Sequence, residues 1–565
     1  MIVTISELID QLKGVVGSRF VITSPHSMER FCKGYRSGGG KAMAVVCPGT
    51  LLEQWRVLEL CIAADAIIIM QAANTGLTEG STPSGIYDRD VLVLSTNRMS
   101  KIQIIQNGEQ IIAFPGATLY ALEEQLKPLN RQPHSVIGSS CVGASIVGGV
   151  CNNSGGSLIE RGPSYTELSL TAKVNQNGVL ELINHLGINL GNDPETILTR
   201  LETGDFNEND FEYSESIASD KEYQNQVRDI DNETPARFNA DPTRLFEASG
   251  CAGKLAVFAV RVDTYPKNER EKVFYIGVKN PNVLTDLRRD MLSTFSTLPV
   301  SAEYMHSECY DISKKFGKDT LILIDKLGTE KLPKLFSLKG WLDARLNSSK
   351  WFPSNFVDRV MQVIGTVWIN VLPKRMEEFR KRFDHHLILK MRDGGIDEAR
   401  RYIEDKFDGV SSDYFECDIR ESKMASLHRF VAAGAAVRYM AINKGGVADI
   451  IALDIALKRN DRNWFEKLPA NIEEAISHKL YYGHFFCHVF HQDYIVKKGY
   501  DPVIIKEQLL AFIKGRGAKY PAEHNVGNMY EAEQQLANFY KKCDPTNSFN
   551  PGIGKMNRSK NYSVT

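Results

Sequence analysis

The chain has 565 residues, of which 43% are hydrophobic and 24% are charged, and its formal net charge is −1. This length exceeds one ordinary domain of roughly 150 residues, and the balanced charge excludes a general attraction to nucleic acid, so we expect no nucleic-acid partner. No stretch reaches the ~18 apolar residues of a membrane-spanning helix. The first residues lack the apolar core of a signal peptide, and we expect none.

The first 130 residues alternate strand and helix patterns. Short apolar runs bounded by turn residues predict buried strands at 42–47, 67–70, 91–94 and 111–114. Apolar residues at helical spacing predict helices at 50–64 and 118–129, with Thr118 as an N-cap of the second. This alternation predicts an α/β or α+β class.

Two glycine-rich segments follow predicted elements of this region. Gln71–Thr82 comes directly after the second strand, and its backbone amides could point inward to bind a diphosphate. It lacks the Gly-Lys-Ser/Thr of a P-loop and the spacing of a dinucleotide-binding fingerprint. Gly138–Gly162 contains too much glycine for a packed helix and would let the backbone approach a ligand closely.

Two further segments are distinguished by their charge. Residues 201–234 are rich in Asp and Glu and predict a solvated loop without an assigned function. Residues 314–384 contain fifteen Lys or Arg against eight Asp or Glu, together with Trp341, Trp351 and Trp368. Basic side chains among aromatic ones suit an anionic phospholipid surface. The alternative is the basic surface of a helical domain whose tryptophans lie in its core.

The two glycine segments, with Phe114-Pro-Gly between them, resemble the FAD domain of the vanillyl-alcohol-oxidase type. Segments along the whole chain resemble the bacterial respiratory, quinone-linked D-lactate dehydrogenases. These segments begin at Met70, His134, Asn152, Leu245 and Phe490. The resemblance implies an α+β fold with a two-part FAD-binding domain, an α+β cap domain and a small basic helical membrane-binding insert.

The same resemblance implies domain boundaries and FAD contacts. The FAD-binding domain would span 1–264 and be completed by 515–565. The cap would span 265–313 and 385–514, and the membrane-binding segment would be 314–384. FAD would be bound non-covalently, because no His or Cys in these loops stands out as a covalent tether. The implied contacts are Ala72, Ala73, Asn74, Thr75, Gly76, Gly80, Ser81, Gly138, Ser145, Gly155 and Val257.

Oxidation of a 2-hydroxy acid needs a base for the hydroxyl proton and a cation for the carboxylate. Glu523-His524 is similar to the Glu-His-Gly motif of related FAD-linked hydroxy-acid dehydrogenases, in which Glu ligates a metal and His is the base. His484 and His491 have the seven-residue spacing of the metal-binding histidines in that group.

The sequence departs from this motif between the two histidines and at Asn525, where Gly is usual. His484, His491 and Glu523 could therefore form a divalent metal site, or equally a metal-free hydrogen-bonding set around the substrate carboxylate. On a single strand the odd spacing would require a bulge or a bend. Arg429 and Arg438 are candidate carboxylate ligands, because Arg binds carboxylates in a bidentate manner.

The resemblance implies oxidation of D-lactate to pyruvate, with hydride transfer to flavin N5, His524 as base and a membrane quinone as electron acceptor. It also implies a peripheral protein on the cytoplasmic face of the bacterial inner membrane. One alternative is a soluble, metal-dependent dehydrogenase of a larger D-2-hydroxy acid such as 2-hydroxyglutarate. Another is a non-catalytic, flavin-binding, membrane-tethered protein.

Overall fold

A computed structural model describes residues 4–135, 143–328, 356–367 and 370–563. Its first sheet has the strand order β1-β2-β4-β3, in which β2, β4 and β3 are parallel and β1 is antiparallel to β2. The strands are β1 (Val21–Ile22), β2 (Ala44–Val46), β3 (Ile67–Gln71) and β4 (Val91–Ser95). Three of them are the buried strands that the apolar runs predicted, and their side chains are almost fully buried.

The second sheet is antiparallel, with the order β5-β6-β10-β8-β9, and a short ribbon pairs β7 with β11. These strands are β5 (Ile102–Ile105), β6 (Gln110–Ala113), β7 (Arg131–Gln132), β8 (Ser169–Val174), β9 (Leu180–Asn184), β10 (Ala256–Asp263) and β11 (Tyr265–Pro266). A hydrophobic core that includes Leu58, Leu92 and Phe258 joins the two sheets.

The helices of this half are α1 (Ile5–Val16), α2 (Pro25–Cys32), α3 (Leu51–Ala63), α4 (Leu119–Leu126), α5 (Ile146–Cys151), α6 (Pro194–Thr203) and α7 (Tyr223–Arg228). Thr118 caps α4 as predicted, since its side chain accepts a hydrogen bond from the amide of Ala121. The expectation that glycine excludes a helix from 138–162 is wrong. Helix α5 forms there because Ser145 caps it and Gly149 lets it approach Ser164 closely.

The prediction of a solvated acidic loop at 201–234 holds for its first part, because most residues of 203–216 are exposed. It is wrong at α7, where Tyr223 and Val227 are fully buried in the core of the second half of the molecule. Some acidic side chains form ion pairs, as Asp220 does with Arg244 at 2.6 Å. The end of the segment is therefore packed through the apolar face of a short helix, while its start is solvated.

The second half of the molecule contains an antiparallel sheet with the order β15-β12-β14-β13-β17-β18-β16. Its strands are β12 (Glu271–Val278), β13 (Ser301–His306), β14 (His385–Arg392), β15 (Ser412–Glu416), β16 (Val447–Ala456), β17 (Ile476–His484) and β18 (Val489–Lys497). Alternate side chains enter two different cores, so both faces of the sheet are covered. Phe490 and Tyr304 enter one core, whereas Tyr482 and Met305 enter the other.

The helices that follow β11 in the chain are α8 (Pro281–Thr294), α9 (Ser307–Phe316), α10 (Lys318–Leu327), α11 (Phe356–Val367), α12 (Lys374–Arg382), α13 (Gly395–Lys406), α14 (Ile419–Phe430), α15 (Ala432–Ile442), α16 (Ala470–Glu473), α17 (Pro502–Gly515) and α18 (Gln534–Cys543). Within the described ranges no helix is both long and apolar enough to cross a membrane. Trp341, Trp351 and Trp368, named above for a lipid surface, lie outside the described residues.

Helix α11 lies within the basic segment 314–384 and has an exposed apolar face. The side chains on this face recur at helical spacing, and they are Val360, Val363, Ile364 and Val367. Its opposite side is held by Arg438 on α15, whose Nε lies 2.7 Å from Asp358 Oδ1 and whose Nη2 lies 3.2 Å from Asp319 Oδ2. An exposed apolar face of this kind is typical of a helix that lies in a membrane interface.

The segment 544–563 returns to the first sheet. The amide of Ile68 on β3 donates to Ser548 O, and the amide of Asn550 donates to Ile68 O. The side chain of Asn550 donates to Gly80 O at 2.9 Å. The buried Lys254 lies 3.7 Å from Asp544 and donates to Asn547 Oδ1 at 2.7 Å. This segment therefore supports the loop that follows β3 from behind.

Candidate active site

The loop that follows β3 has free backbone donors. Among the residues that the structure describes, the amides of 72–78 have no hydrogen-bond acceptor. Side chains hold the loop instead. Asn74 adopts a positive φ of 53°, donates to Lys33 O and accepts from the Ser81 hydroxyl at 2.9 Å. The space beside Gly76 is open. Unpaired amides beside open space favour a bound diphosphate.

Three other predicted FAD contacts lie at the start of α5, shortly after α5 and on β10. Ser145 accepts from the amide of Gly148 at 3.0 Å, and Val257 lies on β10, where its carbonyl accepts from Gln54. The amide of Gly155 donates to Asn239 Oδ1 at 3.3 Å. A Cβ at Gly155 would lie 3.0 Å from the buried Arg237, so only glycine fits there without displacing the guanidinium. The remaining predicted contact, Gly138, lies outside the described residues.

Several buried polar atoms near Gly155 have no partner in the described part of the chain. Both amide atoms of Asn153 and Nδ2 of Asn239 are in this state. A buried polar group without a partner costs about 1–3 kcal/mol, so such groups are normally satisfied by a ligand or water. The isoalloxazine ring carries donors and acceptors along one edge. The residues present therefore fit FAD on two counts, the open amides of 72–78 and these unpaired amide groups.

Four polar side chains lie in a row on one face of the large sheet. They come from the consecutive strands β13, β17, β18 and β16, and they are Glu303, His484, His491 and Asp454. Glu303 is opposite His484, and Asp454 is opposite His491. The two histidines share a face because a 3₁₀ turn at Phe485–Cys487 reverses the chain between two strands. A hairpin, rather than the expected bulge or bend in one strand, explains their spacing.

Two carboxylates bind the histidines of this row. His484 Nδ1 lies 2.5 Å from Glu303 Oε1, and Glu303 Oε2 lies 3.1 Å from Nη2 of Arg429 on α14. Asp454 makes a short contact with Nδ1 of His491 through one oxygen. Its second oxygen lies 2.9 Å from Nε2 of His524. The guanidinium of Arg429 also covers the ring of Tyr482 at 4.5 Å.

The loop that contains Glu523 and His524 is attached to β16. The amide of Ala522 donates to the carbonyl of Asp454, and Lys519 pairs with Ala456 through two backbone hydrogen bonds. This attachment brings Glu523 Oε1 to 3.9 Å from Nε2 of His484. The structure thus brings together His484, His491, Glu523, His524 and Arg429, all of which the sequence singled out.

The pKa values of these groups reflect their mutual contacts. Burial raises the pKa of Glu303, but His484 and Arg429 outweigh it and hold that pKa at about 2. Burial also opposes the charged form of Asp454, yet His491 and His524 keep its pKa well below the ordinary range. For His491, burial lowers the pKa but Asp454 raises it more. The carboxylates are therefore ionised, and they stabilise cationic neighbours.

The histidines of this set are held by carboxylates. In the ranges that the structure describes, no group of three or more His, Cys, Asp or Glu lies arranged to hold a metal ion. His484 and His491 direct Nδ1 at Glu303 and Asp454, which are the contacts of a hydrogen-bonding set. Carboxylates also orient metal-binding histidines through the nitrogen that does not contact the metal, so these contacts are common to both alternatives for His484, His491 and Glu523.

Arg438, predicted as a second carboxylate ligand, does not join the cluster. It is buried between Asp319 and Asp358, where it connects α15 with α10 and α11. Two carboxylates already occupy its guanidinium, which explains why it is not available to a substrate.

Three residues of the site were not predicted from the sequence, namely Asp454, Glu303 and Arg237. Asp454 and Glu303 are acids flanked by apolar residues, in the segments Ile-Ala-Leu-Asp-Ile-Ala and Ser-Ala-Glu-Tyr-Met. An acid within an apolar run is a usable signal, because burial of an unpaired carboxylate is unfavourable. Arg237 gave no comparable signal.

The fold and site define a FAD-binding α+β protein of the vanillyl-alcohol-oxidase type, as predicted. Solved structures with this fold include p-cresol methylhydroxylase (TM-score 0.59, 11% identity, covering 98% of this chain and 97% of that one). Another is alkyldihydroxyacetonephosphate synthase (TM-score 0.57, 10% identity, covering 97% and 84%). A family model described as FAD binding domain matches residues 42–168.

A second family model, described as D-lactate dehydrogenase, membrane binding, matches residues 273–562. The quinone-dependent D-lactate dehydrogenase of Escherichia coli is 56% identical over 98% of this chain and 97% of its own length. That of Haemophilus influenzae is 53% identical over 99% and 100%, and that of Corynebacterium glutamicum is 42% identical over 99% and 98%. The chain belongs to this family of membrane-binding D-lactate dehydrogenases.

Proposed function

We propose that this chain oxidises D-lactate to pyruvate with non-covalently bound FAD and passes the electrons to a membrane quinone. The named relatives are all quinone-dependent D-lactate dehydrogenases. The observation that carries the proposal is the cluster in which Asp454 binds His491 and His524, while Arg429 lies at its margin against Glu303. It supplies the base and the cation that oxidation of a hydroxy acid requires.

FAD, when bound, supplies the acceptor for the hydride from C2 of the substrate. His524 takes the hydroxyl proton on Nδ1, because its Nε2 is already bonded to Asp454. Arg429 holds the substrate carboxylate. One of its terminal nitrogens pairs with Glu303, and its buried Nε has no partner in the described part of the chain.

The relatives favour D-lactate over a larger acid such as 2-hydroxyglutarate, because the three compared above are quinone-dependent D-lactate dehydrogenases. The pKa values of Glu303, Asp454 and Glu523 are all lowered, in each case against the effect of burial. These carboxylates therefore remain ionised beside the histidines and Arg429 that the proposed reaction uses.

The protein rests on the membrane through the segment 314–384, as a peripheral protein of the cytoplasmic face of the inner membrane. Support comes from the exposed apolar row on α11 and from the basic helix α12, which carries Arg380, Lys381 and Arg382 in its last turn. The domain division follows from the same assignment. Residues 1–264 with 515–565 bind FAD, 265–313 with 385–514 form the cap, and 314–384 binds lipid.

Anaerobic bleaching of the bound flavin tests the activity. D-lactate should bleach it rapidly, with or without chelator, whereas L-lactate and D-2-hydroxyglutarate should act at least tenfold more slowly. The soluble metal-dependent alternative would be supported if D-2-hydroxyglutarate bleached the flavin faster than D-lactate. It would also be supported if a chelator abolished bleaching. No bleaching by any hydroxy acid would support the non-catalytic alternative.

The role of His524 is tested in the same assay with His524→Ala. Loss of a general base slows the chemical step about 10²–10⁴-fold, and the FAD content should not change. His185→Ala is the matched control, because that histidine is about half exposed and pairs with Glu247 outside the cluster. Bleaching of His524→Ala at the rate of the control would contradict the assignment.

A further inference from the structure

We infer that Asp454 is a positioning residue for this reaction, which fixes the ring orientation and the tautomer of His524 and His491 together. The inference rests on the proposed role of His524 as base. It goes beyond that role, because it assigns the control of two histidines to one carboxylate on a neighbouring strand.

The geometry is that of one carboxylate shared by two imidazoles. Oδ2 of Asp454 lies 2.9 Å from Nε2 of His524, and Oδ1 makes a short contact with Nδ1 of His491. An ionised carboxylate only accepts hydrogen bonds, so each histidine must present N–H to it. The proton of His524 is therefore held on Nε2, and that of His491 on Nδ1.

This arrangement leaves one nitrogen of each ring available. In the part of the chain that the structure describes, Nδ1 of His524 and Nε2 of His491 have no hydrogen-bond partner. His524 Nδ1 thus carries a lone pair that can accept the hydroxyl proton. A carboxylate that holds the opposite nitrogen orients the ring and fixes its tautomer, as in carboxylate–histidine pairs elsewhere.

Asp454 is itself held rigidly. It lies on β16 directly opposite His491, between the buried Leu453 and Ile455, which enter the core on the other face. Its carbonyl accepts from the amide of Ala522, two residues before His524. The main-chain carbonyl of Asp454 therefore holds the loop that contains His524, and its side chain holds the ring of His524.

The test is the rate of anaerobic flavin reduction by D-lactate in Asp454→Asn, His524→Ala and the double variant. An asparagine cannot accept from both rings with two equivalent oxygens, so Asp454→Asn should slow reduction about 100-fold while FAD content is retained. Asp449→Asn is the matched control, because it makes the same change on an exposed position of the same strand and should leave the rate unchanged.

If Asp454 acts through His524, the double variant should reduce flavin less than about threefold more slowly than His524→Ala alone. The inference would be overturned if the rate of the double variant fell by the product of the two single losses. It would also be overturned if Asp454→Asn reduced flavin within threefold of the wild-type rate. Either result would leave His524 as the base. A wild-type rate in His524→Ala would instead overturn the base, and with it this inference.

A second measurement uses the wild-type holoenzyme and does not depend on the stability of a variant. Histidine ¹⁵N spectra, with His524 assigned by its loss in His524→Ala, should show the proton on Nε2 and a bare Nδ1. A purely structural Asp454 would not fix this state. A Nδ1–H tautomer for His524 would overturn the inference whatever the kinetics of the variants.

Discussion

Arg429 on α14 lies against Glu303 on β13, with its Nη2 3.1 Å from Glu303 Oε2 and its guanidinium over the ring of Tyr482. If this cation holds the substrate carboxylate, Arg429→Met should raise KM for D-lactate about 10–100-fold, which corresponds to a charged hydrogen bond of about 1.5–3 kcal/mol. Steady-state kinetics with a quinone acceptor measures this.

Arg429→Lys is the conservative control, and it should recover part of the affinity but not the bidentate geometry. A KM unchanged in Arg429→Met, at normal FAD content, would show that another cation binds the carboxylate.

Arg438 is expected to matter for stability and not for the chemical step. Arg438→Met removes a buried cation that pairs with Asp319 and Asp358, and loss of one partner of a buried pair costs about 3–5 kcal/mol. Thermal unfolding should therefore shift to lower temperature, while flavin reduction at 25 °C stays within twofold. A strong loss of reduction rate in folded Arg438→Met would restore Arg438 as a substrate ligand.

Vesicle binding should depend on the apolar face of α11. Val363 is 63% exposed there, and burial of a Val side chain is worth about 1.5 kcal/mol, so Val363→Asp should weaken binding to anionic vesicles at least tenfold. Val179, 54% exposed in the FAD-binding half, provides the matched control Val179→Asp. Equal binding of the two variants in a pelleting assay would place the lipid contact elsewhere.

Stability should fall in mild acid because buried histidines must stay neutral. Burial lowers the pKa of His386 to about 3, and both ring nitrogens lack partners among the described residues. Below the ordinary value near 6.5 the unfolded chain binds a proton that the folded protein does not. As the pH falls below about 6.5, this residue therefore lowers the free energy of unfolding by about 1.4 kcal/mol per pH unit. Above pH 7 it has no such effect.

His386→Phe should remove this contribution, so its stability relative to wild type should rise between pH 7 and pH 5. Denaturant unfolding at the two pH values measures the difference. His26→Phe, at an exposed position, should show no such change with pH. An identical pH response of His386→Phe and wild type would contradict the predicted burial of a neutral imidazole.

Local features of the chain were predictable. The apolar runs located β2, β3 and β4, the hydroxyl of Thr118 marked the start of α4, and glycine marked the loop after β3. Each depends on interactions within a few residues. The resemblance to known flavoproteins then supplied the fold class, which the comparisons confirm.

The contacts within the site could not be predicted in this way. Asp454 meets His491 only because β16 and β18 pair in one register, and a shift by one residue would direct the carboxylate into the opposite core. Arg438 was misassigned for a related reason. Its acidic partners lie on α10 and α11, more than 75 residues away, and pairing over such distances depends on helix packing.

The hydrogen bond from Asn550 to Gly80 joins residues 470 positions apart. On a ribosome that adds 5–20 residues per second, Asn550 is synthesised about 20–90 s after the loop that follows β3. The flavin pocket therefore matures late, after the cap sheet has been synthesised. Cofactor uptake becomes a step of final assembly, and truncation of a nascent chain before residue 550 should yield a colourless protein even though every predicted FAD contact is already present.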